Sequence, residues 1–314
     1  MLRRFFIYNA WQGDAAGSCR PARCPSHILP RNHMNRRSFL ALVSGTCAAL
    51  ALQGGPAGAA VLTSFFPQQG LIESPVRDYV SRMLRFDAPD PADIVLPAHR
   101  LAVLQSAAER LARTEQVVGH GNFCILGFDS ALRYAQSYPA IGPFTSEEKD
   151  LLDELFHEDA TRYGFYGTKP VDRLTARIPQ REVTKVPYTG NWLFRGRPER
   201  TWHTIRSILG DEVVLTSGVR GVVKQFLLFL NKAVAAQGNL SLASRSLAPP
   251  GYSFHAVSDF DVGKKGFGEA NFTARFTETE VFKQLEKRGY ITLRYPQDNL
   301  LGVRFEPWHV KVPS

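Results

Sequence analysis

Two short segments in the carboxy-terminal part of the chain carry histidines and carboxylates that can act together only if the fold joins them. His255 is followed by Asp259 and Asp261, and His309 lies 54 residues beyond His255, three residues after Glu306. Two imidazoles and one carboxylate are typical protein ligands of a catalytic zinc ion, which keeps a fourth position for water. The sequence therefore predicts a Zn²⁺ site that is complete only when the end of the chain is in place.

Glu306 is the candidate general base of this site. Residues three apart in a regular strand face opposite sides, but Pro307 removes a backbone donor and favours a bend that can aim Glu306 and His309 inward together. A carboxylate beside a metal-acidified water can take its proton and later pass that proton to a leaving amine. The alternative is a solvated glutamate without a role, and the nearby His309 argues against it.

A third segment, residues 216–220, ends in Arg220. The pattern predicts a strand, then a turn that contains glycine, then a helix. An arginine in such a turn is placed to hold a carboxylate by two parallel hydrogen bonds. By itself this pattern is not specific. It indicates a substrate-binding arginine only in combination with the other two segments.

In this order, the three segments resemble the zinc D-alanyl-D-alanine carboxypeptidases of the VanY kind, within the LAS-type metallopeptidases that include lysostaphin-type peptidases and hedgehog domains. The family shows Ser-Gly-Tyr-Arg followed by a glutamine, then Ser-x-His-x-x-Gly-x-Ala-x-Asp, then Glu-x-Trp-His. This chain has Ser-Gly-Val-Arg at residues 217–220 with Gln225, Ser-Phe-His at residues 253–255, and Glu-Pro-Trp-His at residues 306–309. The resemblance covers roughly residues 186–314.

The resemblance implies a role for each matched residue. Three would bind Zn²⁺: His255, Asp261 and His309. Glu306 would be the catalytic base, and Arg220 would bind the substrate or stabilise the developing oxyanion. Four further residues of these motifs are expected to contact the peptide: Ser217, Gln225, Ser253 and Trp308.

One segment departs from the family pattern. The family places its aspartate seven residues after the histidine, whereas here Asp261 follows His255 by six residues and Asp259 by four, with Ser258 at the usual glycine. A one-residue deletion favours Asp261 as the ligand, because the apolar Val262 follows it as in the family. Asp259 remains an alternative.

Residues 34–59 have the pattern of an export signal. Arg36 and Arg37 precede an uncharged stretch of apolar and small side chains, residues 41–52, and small residues near Ala59 form a cleavage pattern. The segment resembles a twin-arginine signal, which the export machinery would read. A membrane anchor is the alternative, but about a dozen apolar residues are too few to span a bilayer. We expect a periplasmic or extracytoplasmic protein, cleaved near Ala59, with no stable membrane span.

The net charge of +9 belongs mainly to this amino-terminal part. Residues 1–59 contain seven arginines and a single acidic residue, and the rest of the chain holds 31 basic and 28 acidic residues, a net charge of +3. An excess of basic over acidic residues that is confined to a targeting segment does not indicate a nucleic-acid partner. Because Met34 directly precedes the signal, we interpret residues 1–33 as a disordered upstream extension.

The remaining sequence predicts an α+β fold, with a small antiparallel sheet and flanking helices in a catalytic domain over residues 186–314. A mainly helical region of unknown role, residues 60–185, precedes this domain. Helices are expected over residues 98–118, from Thr145 onward, at residues 200–209 and 222–237, and after a cap at Thr277. Strands are expected at residues 212–217, 290–295 and 301–305.

Together these features predict an exported zinc peptidase that removes the terminal D-alanine from peptidoglycan stem peptides. An endopeptidase that uses the same site stays open. A zinc-stabilised module that binds the cell wall without cutting it also stays open, although a purely structural zinc site has no use for a proton carrier such as Glu306.

Overall fold

A computed structural model of the chain describes residue 79 and residues 81–313. The predicted upstream extension and signal peptide, residues 1–59, lie outside the described residues, and both stay predictions. Within the described part of the chain, no helix is both long enough and apolar enough to cross a membrane.

The part of the chain before residue 160 is helical where the structure describes it. Its helices are α1 (Ala98–Val118), α2 (His120–Cys124), α3 (Phe128–Ser137) and α4 (Ser146–His157). The apolar period over residues 98–118 predicted α1 correctly. At the start of α4, the Thr145 hydroxyl accepts a hydrogen bond from the amide of Glu148 (3.1 Å), whose carboxylate accepts one from the amide of Thr145 (3.0 Å). This reciprocal pair is the predicted capping box.

The rest of the chain is α+β, as predicted. Its helices are α5 (Arg197–Leu209), α6 (Val222–Ala235), α7 (Leu240–Ser244) and α8 (Glu280–Lys287). Its strands are β1 (Val183–Lys185), β2 (Trp192–Phe194), β3 (Val213–Ser217), β4 (Phe260–Lys264) and β5 (His309–Val310). β1 and β2 form an antiparallel pair, and β4 lies between β3 and β5 in an antiparallel three-stranded sheet. The sheet is therefore small, and helices flank it.

The last part of the chain differs from the expectation in two places. Residues 290–295 and 301–305 do not form strands, and they contribute only an isolated bridge between Leu293 and Val310. Gly302 has a φ of +74° and lies so close to Gly164 that a Cβ atom would be 1.8 Å from the Gly164 carbonyl oxygen, which excludes regular extended backbone here. The cap of α8 is Thr279 rather than Thr277, because its hydroxyl accepts a hydrogen bond from the amide of Phe282 (3.2 Å).

Two main apolar cores and a minor third cluster, which contains Trp192 and Val219, lie in the described part of the chain. In the larger core, α1 packs along α6, where Phe226, Phe229 and Leu230 are buried. The smaller core lies against the three-stranded sheet and contains Leu215, Val262 and Val310 with side chains of α5 and α8. The larger core crosses the predicted boundary at residue 186, and the described residues form one compact unit.

A fragment that begins at residue 186 is therefore expected not to fold alone. It would expose the face of α6 that carries Phe226 and Phe229, a large apolar patch that α1 covers in the longer chain. Circular dichroism and binding of a hydrophobic dye, compared with a chain that begins at residue 60, check this expectation. A fragment with a cooperative thermal transition would contradict it.

Candidate metal centre

The register of the three-stranded sheet brings two of the predicted ligands together. Asp261 on β4 is paired with His309 on β5 and, across a bulge, with Ser217 at the end of β3. Residues directly opposite in antiparallel strands present their side chains on the same face of the sheet. His309 therefore reaches Asp261 only when β5 pairs with the edge of β4.

His255 joins them from a short 3₁₀ turn, Phe254–Ala256, just before β4. Its Nδ1–H donates a hydrogen bond to the carbonyl oxygen of Gly218 (2.7 Å), which leaves Nε2 as the unprotonated ring nitrogen. Gly218 has no room for a side chain, because a Cβ atom would lie 2.0 Å from the carbonyl oxygen of Trp192 on β2. The glycine thus allows the turn after β3 to approach both β2 and His255.

One ligand atom from each of His255, Asp261 and His309 lies within 4.8 Å of the others, and all three residues are buried. Oδ1 of Asp261 is 3.1 Å from Nε2 of His255 and 3.7 Å from Nδ1 of His309. No other group of this kind occurs in the part of the chain that the structure describes. Two imidazole nitrogens and a carboxylate oxygen that converge in this way fit the donor set of a catalytic zinc ion.

The pKa values of the two histidines are shifted in opposite directions. Burial, together with the neighbouring Arg220, lowers the pKa of His255 to about 4, so this imidazole is neutral as a metal ligand must be. Burial opposes the charged form of His309, but hydrogen bonds to Asp259 and Glu306 outweigh burial and raise its pKa to about 9. Burial also opposes the charged form of Asp261, yet His255 and Arg220 hold its pKa low, at about 2.

Glu306 lies beside His309, on the same side as Asp261. The amide of His309 donates to the carbonyl oxygen of Glu306 (3.2 Å), so residues 306–309 form a turn, which agrees with the bend expected at Pro307. Oε2 of Glu306 is 3.3 Å from Nδ1 of His309. The structure therefore places the candidate base in contact with one of the three candidate ligands, His309.

Arg220 lies between the end of β3 and the start of α6, where the sequence placed it. One of its terminal nitrogens contacts both Nε2 of His255 and Oδ2 of Asp261, the latter at 2.7 Å. Its buried Nε has no hydrogen-bond partner among the described residues. The guanidinium thus faces the ligand side chains directly and keeps one donor unused.

Asp259 lies on the other side of His309. Its Oδ2 is 3.1 Å from Nε2 of His309, and Arg294 pairs with both of its carboxylate oxygens. The structure groups Asp261, and not Asp259, with the two histidines. The sequence favours Asp261 and keeps Asp259 as an alternative, and it gives no prediction for Arg294.

Of the four predicted peptide contacts, only Ser217 is half-buried, and the other three are almost fully buried. Gln225 on α6 donates to the carbonyl oxygen of Ala248 (2.5 Å), while its Oε1 has no partner in the described part of the chain. Ser253 precedes the turn that carries His255. Trp308 packs in the smaller core, edge to face with Phe272. Their roles as peptide contacts stay predictions, and Trp308 has a clear packing role.

Tyr295 is a site residue that the sequence did not reveal. Its ring lies edge to face against that of His309, with ring centroids 5.3 Å apart, and its carbonyl oxygen accepts a hydrogen bond from the amide of Glu306 (3.0 Å). Both Arg294 and Tyr295 fall in the segment expected to be a strand. The sequence signals available there were an arginine and an aromatic residue directly before the turn at Pro296.

Residues 207–312 match the family model described as VanY, D-alanyl-D-alanine carboxypeptidase. That range contains all three candidate ligands together with Arg220 and Glu306. The resemblance found in the sequence motifs is thus confirmed over these residues. Comparison with curated proteins gives no match.

Solved structures with partial similarity include three peptidases. The LdcB LD-carboxypeptidase is 21% identical with a TM-score of 0.34, and the match covers 41% of this chain and 62% of the LdcB chain. A mutant of the vancomycin resistance D,D-pentapeptidase VanY, in complex with Zn(II), is 23% identical with a TM-score of 0.35 and coverages of 44% and 83%. VanYB in complex with D-Alanine-D-Alanine is 22% identical with a TM-score of 0.35 and coverages of 42% and 78%. The chain thus spans less than two thirds of the LdcB chain.

Proposed function

We propose that this chain is an exported zinc peptidase that removes the terminal D-alanine from peptidoglycan stem peptides ending in D-Ala-D-Ala. The observation that carries the proposal is the convergence of His255, Asp261 and His309 with Glu306 beside them, inside the region that matches the family model. The signal pattern of residues 34–59 supports export to the compartment where such peptides occur.

In the proposed site, Nε2 of His255, a carboxylate oxygen of Asp261 and Nδ1 of His309 would hold Zn²⁺. When bound, the ion would lower the pKa of a water molecule, and its positive charge would polarise the peptide carbonyl. The burial of all three ligands supports a strong field at the reacting carbonyl, because little water screens it.

Glu306 would carry the proton. Its Oε2 would take a proton from the attacking water as the oxygen of that water bonds to the carbonyl carbon. When the bond between that carbon and the amide nitrogen breaks, Glu306 would give the proton to the nitrogen of the departing D-alanine. The distance of 3.3 Å to Nδ1 of His309 supports this role, since it places the carboxylate next to the ligands.

Arg220 would bind the negative charge that develops on the carbonyl oxygen, or the carboxylate at the end of the substrate. Its unused Nε and its place beside Asp261 support this role. A buried guanidinium acts in a low-dielectric setting, where such an interaction is strong.

Replacing Arg220 with alanine is expected to lower kcat/KM by about 10²- to 10³-fold, as for the loss of one oxyanion donor. Stoichiometric zinc should remain, because Arg220 is not one of the three ligands. Metal analysis and steady-state kinetics on the same preparation check both parts. The matched variant Arg220→Lys keeps the charge but loses the planar fork, and we expect an intermediate rate. Full activity in Arg220→Ala would exclude the proposed role.

Digestion of purified muropeptides, followed by mass analysis, tests the proposed reaction. Loss of one alanine from pentapeptide stems is the expected product. Cleavage inside the stem or within a cross-link would instead identify an endopeptidase. Wall binding with zinc present and no product would identify a binding module.

A further inference from the structure

Asp259 holds a dense set of contacts although it lies outside the candidate ligand group. Its side chain is fully buried, and Oδ2 accepts from Nε of Arg294 (2.7 Å) and faces Nε2 of His309 (3.1 Å). Oδ1 accepts from a second Arg294 nitrogen (3.1 Å) and from the amide of Val312 (2.9 Å), and the Ser258 hydroxyl lies at 3.3 Å. A buried carboxylate with this many donors is held in one orientation.

These contacts determine which nitrogen of His309 faces the other ligands. Because Nε2–H donates to Asp259, Nδ1 is the ring nitrogen on the side of Asp261 (3.7 Å) and Glu306 (3.3 Å). A carboxylate that accepts from the outer N–H of a ligand histidine fixes both its tautomer and its ring orientation. The imidazole of His309 thus lies between Asp259, which faces its Nε2, and the candidate ligand Asp261, which lies on the side of its Nδ1.

Arg294 balances the charge of Asp259 and connects it to the other histidine. Its guanidinium pairs with both carboxylate oxygens and lies over the ring of Phe254, 3.7 Å from the centroid, directly before His255. The Ser258 hydroxyl also donates to the carbonyl oxygen of Val312 (2.8 Å). The network therefore fastens the end of the chain to the turn that carries His255.

We propose that Asp259 is a positioning residue, which holds His309 with Nδ1 directed into the metal site. Asp259 lies in the segment of this chain that departs from the family pattern, four residues after His255 and two before Asp261. The inference deepens the proposed function and rests on it for the identity of the metal. The orientation of His309 itself rests on the contacts of Asp259.

The first test measures the zinc affinity of Asp259→Asn by competition with a chromophoric chelator. We expect affinity to fall roughly 10- to 100-fold, the usual effect of losing a carboxylate that supports a ligand histidine. Asp93→Asn is the matched control, since Asp93 is also a buried aspartate paired with an arginine, Arg245, and contacts none of the metal-site residues. It should lose stability and keep its zinc affinity. Equal affinities for Asp259→Asn and wild type would overturn the proposal.

A second measurement is made on the wild-type protein. Nitrogen-15 NMR of the histidine rings in the wild type should show a slowly exchanging Nε2–H for His309, assigned by its loss in His309→Gln. A His309 protonated only at Nδ1 would overturn the proposal. If the wild type binds zinc in this way but cuts no peptide, the proposed function fails and the positioning role stands. If the wild type cuts peptide and Asp259→Asn binds zinc normally, only the positioning role fails.

Discussion

Glu306→Gln is expected to lower kcat by about 10²- to 10⁴-fold, the usual contribution of a general acid and base. Glutamine has the shape of glutamate but cannot accept the proton of water, so the proposed proton transfer is lost. Zinc content and substrate binding should stay close to those of the wild type, because Glu306 is next to the ligands and not among them. The measurement is single-turnover release of D-alanine, with metal analysis of the same sample.

The control for this variant is Glu286→Gln, a change at an exposed glutamate on α8 that contacts none of the site residues. Its activity should equal that of the wild type. Full activity in Glu306→Gln would remove the proposed base and, with it, the hydrolytic mechanism.

Asp261→Ala is expected to lose stoichiometric zinc and nearly all activity. The change removes the carboxylate that lies between His255 and His309, and it leaves the buried Arg220 without its partner. Loss of the metal removes several kcal/mol of transition-state stabilisation, equivalent to a fall in kcat/KM of at least about 10³-fold. Zinc titration followed by peptide release checks both effects.

Asp153→Ala on α4 is a suitable control, because this aspartate is exposed and lies in the helical region. It should keep both zinc and activity. If Asp261→Ala instead kept stoichiometric zinc, the ligand would be Asp259, and the positioning role proposed for that residue would also fail.

The sequence predicted correctly the helices that are specified by residues close together in the chain. The apolar period of residues 98–118 and the reciprocal cap at Thr145 each depend on residues within a few turns of helix, so α1 and α4 were found. The two strands expected near the end of the chain were wrong. Their apolar residues pack against the cores, but Gly302 adopts a left-handed φ where it meets Gly164, a contact between distant parts of the chain.

Most of the candidate site was predictable from the sequence. The exception is the carboxylate ligand, for which Asp259 and Asp261 compete. The motifs gave His255, His309, Glu306 and Arg220, and the structure brings all four together. Alternation along a strand puts residues two apart on the same side, so the sequence favoured Asp261 but kept Asp259 as an alternative. Only the pairing of β4 with β5 places the ring of His309 between them.

The helical region before residue 186 gave no functional signal in the sequence, but the structure connects it to the site. The amide of Gly221, next to Arg220, donates to the carbonyl oxygen of Cys124 at the end of α2 (2.7 Å), and the indole of Trp192 donates to the carbonyl oxygen of Gly121 (2.7 Å). We infer that this region supports the turn that carries Arg220.

The most direct test of the central claim combines metal and product in one experiment. Protein that begins at residue 60 is stripped of metal, reloaded with one equivalent of Zn²⁺ and incubated with a stem pentapeptide ending in D-Ala-D-Ala, with an unloaded sample in parallel. We predict that mass analysis will show loss of one alanine only in the zinc-loaded sample. An intact pentapeptide in the presence of stoichiometric bound zinc would contradict the proposed function.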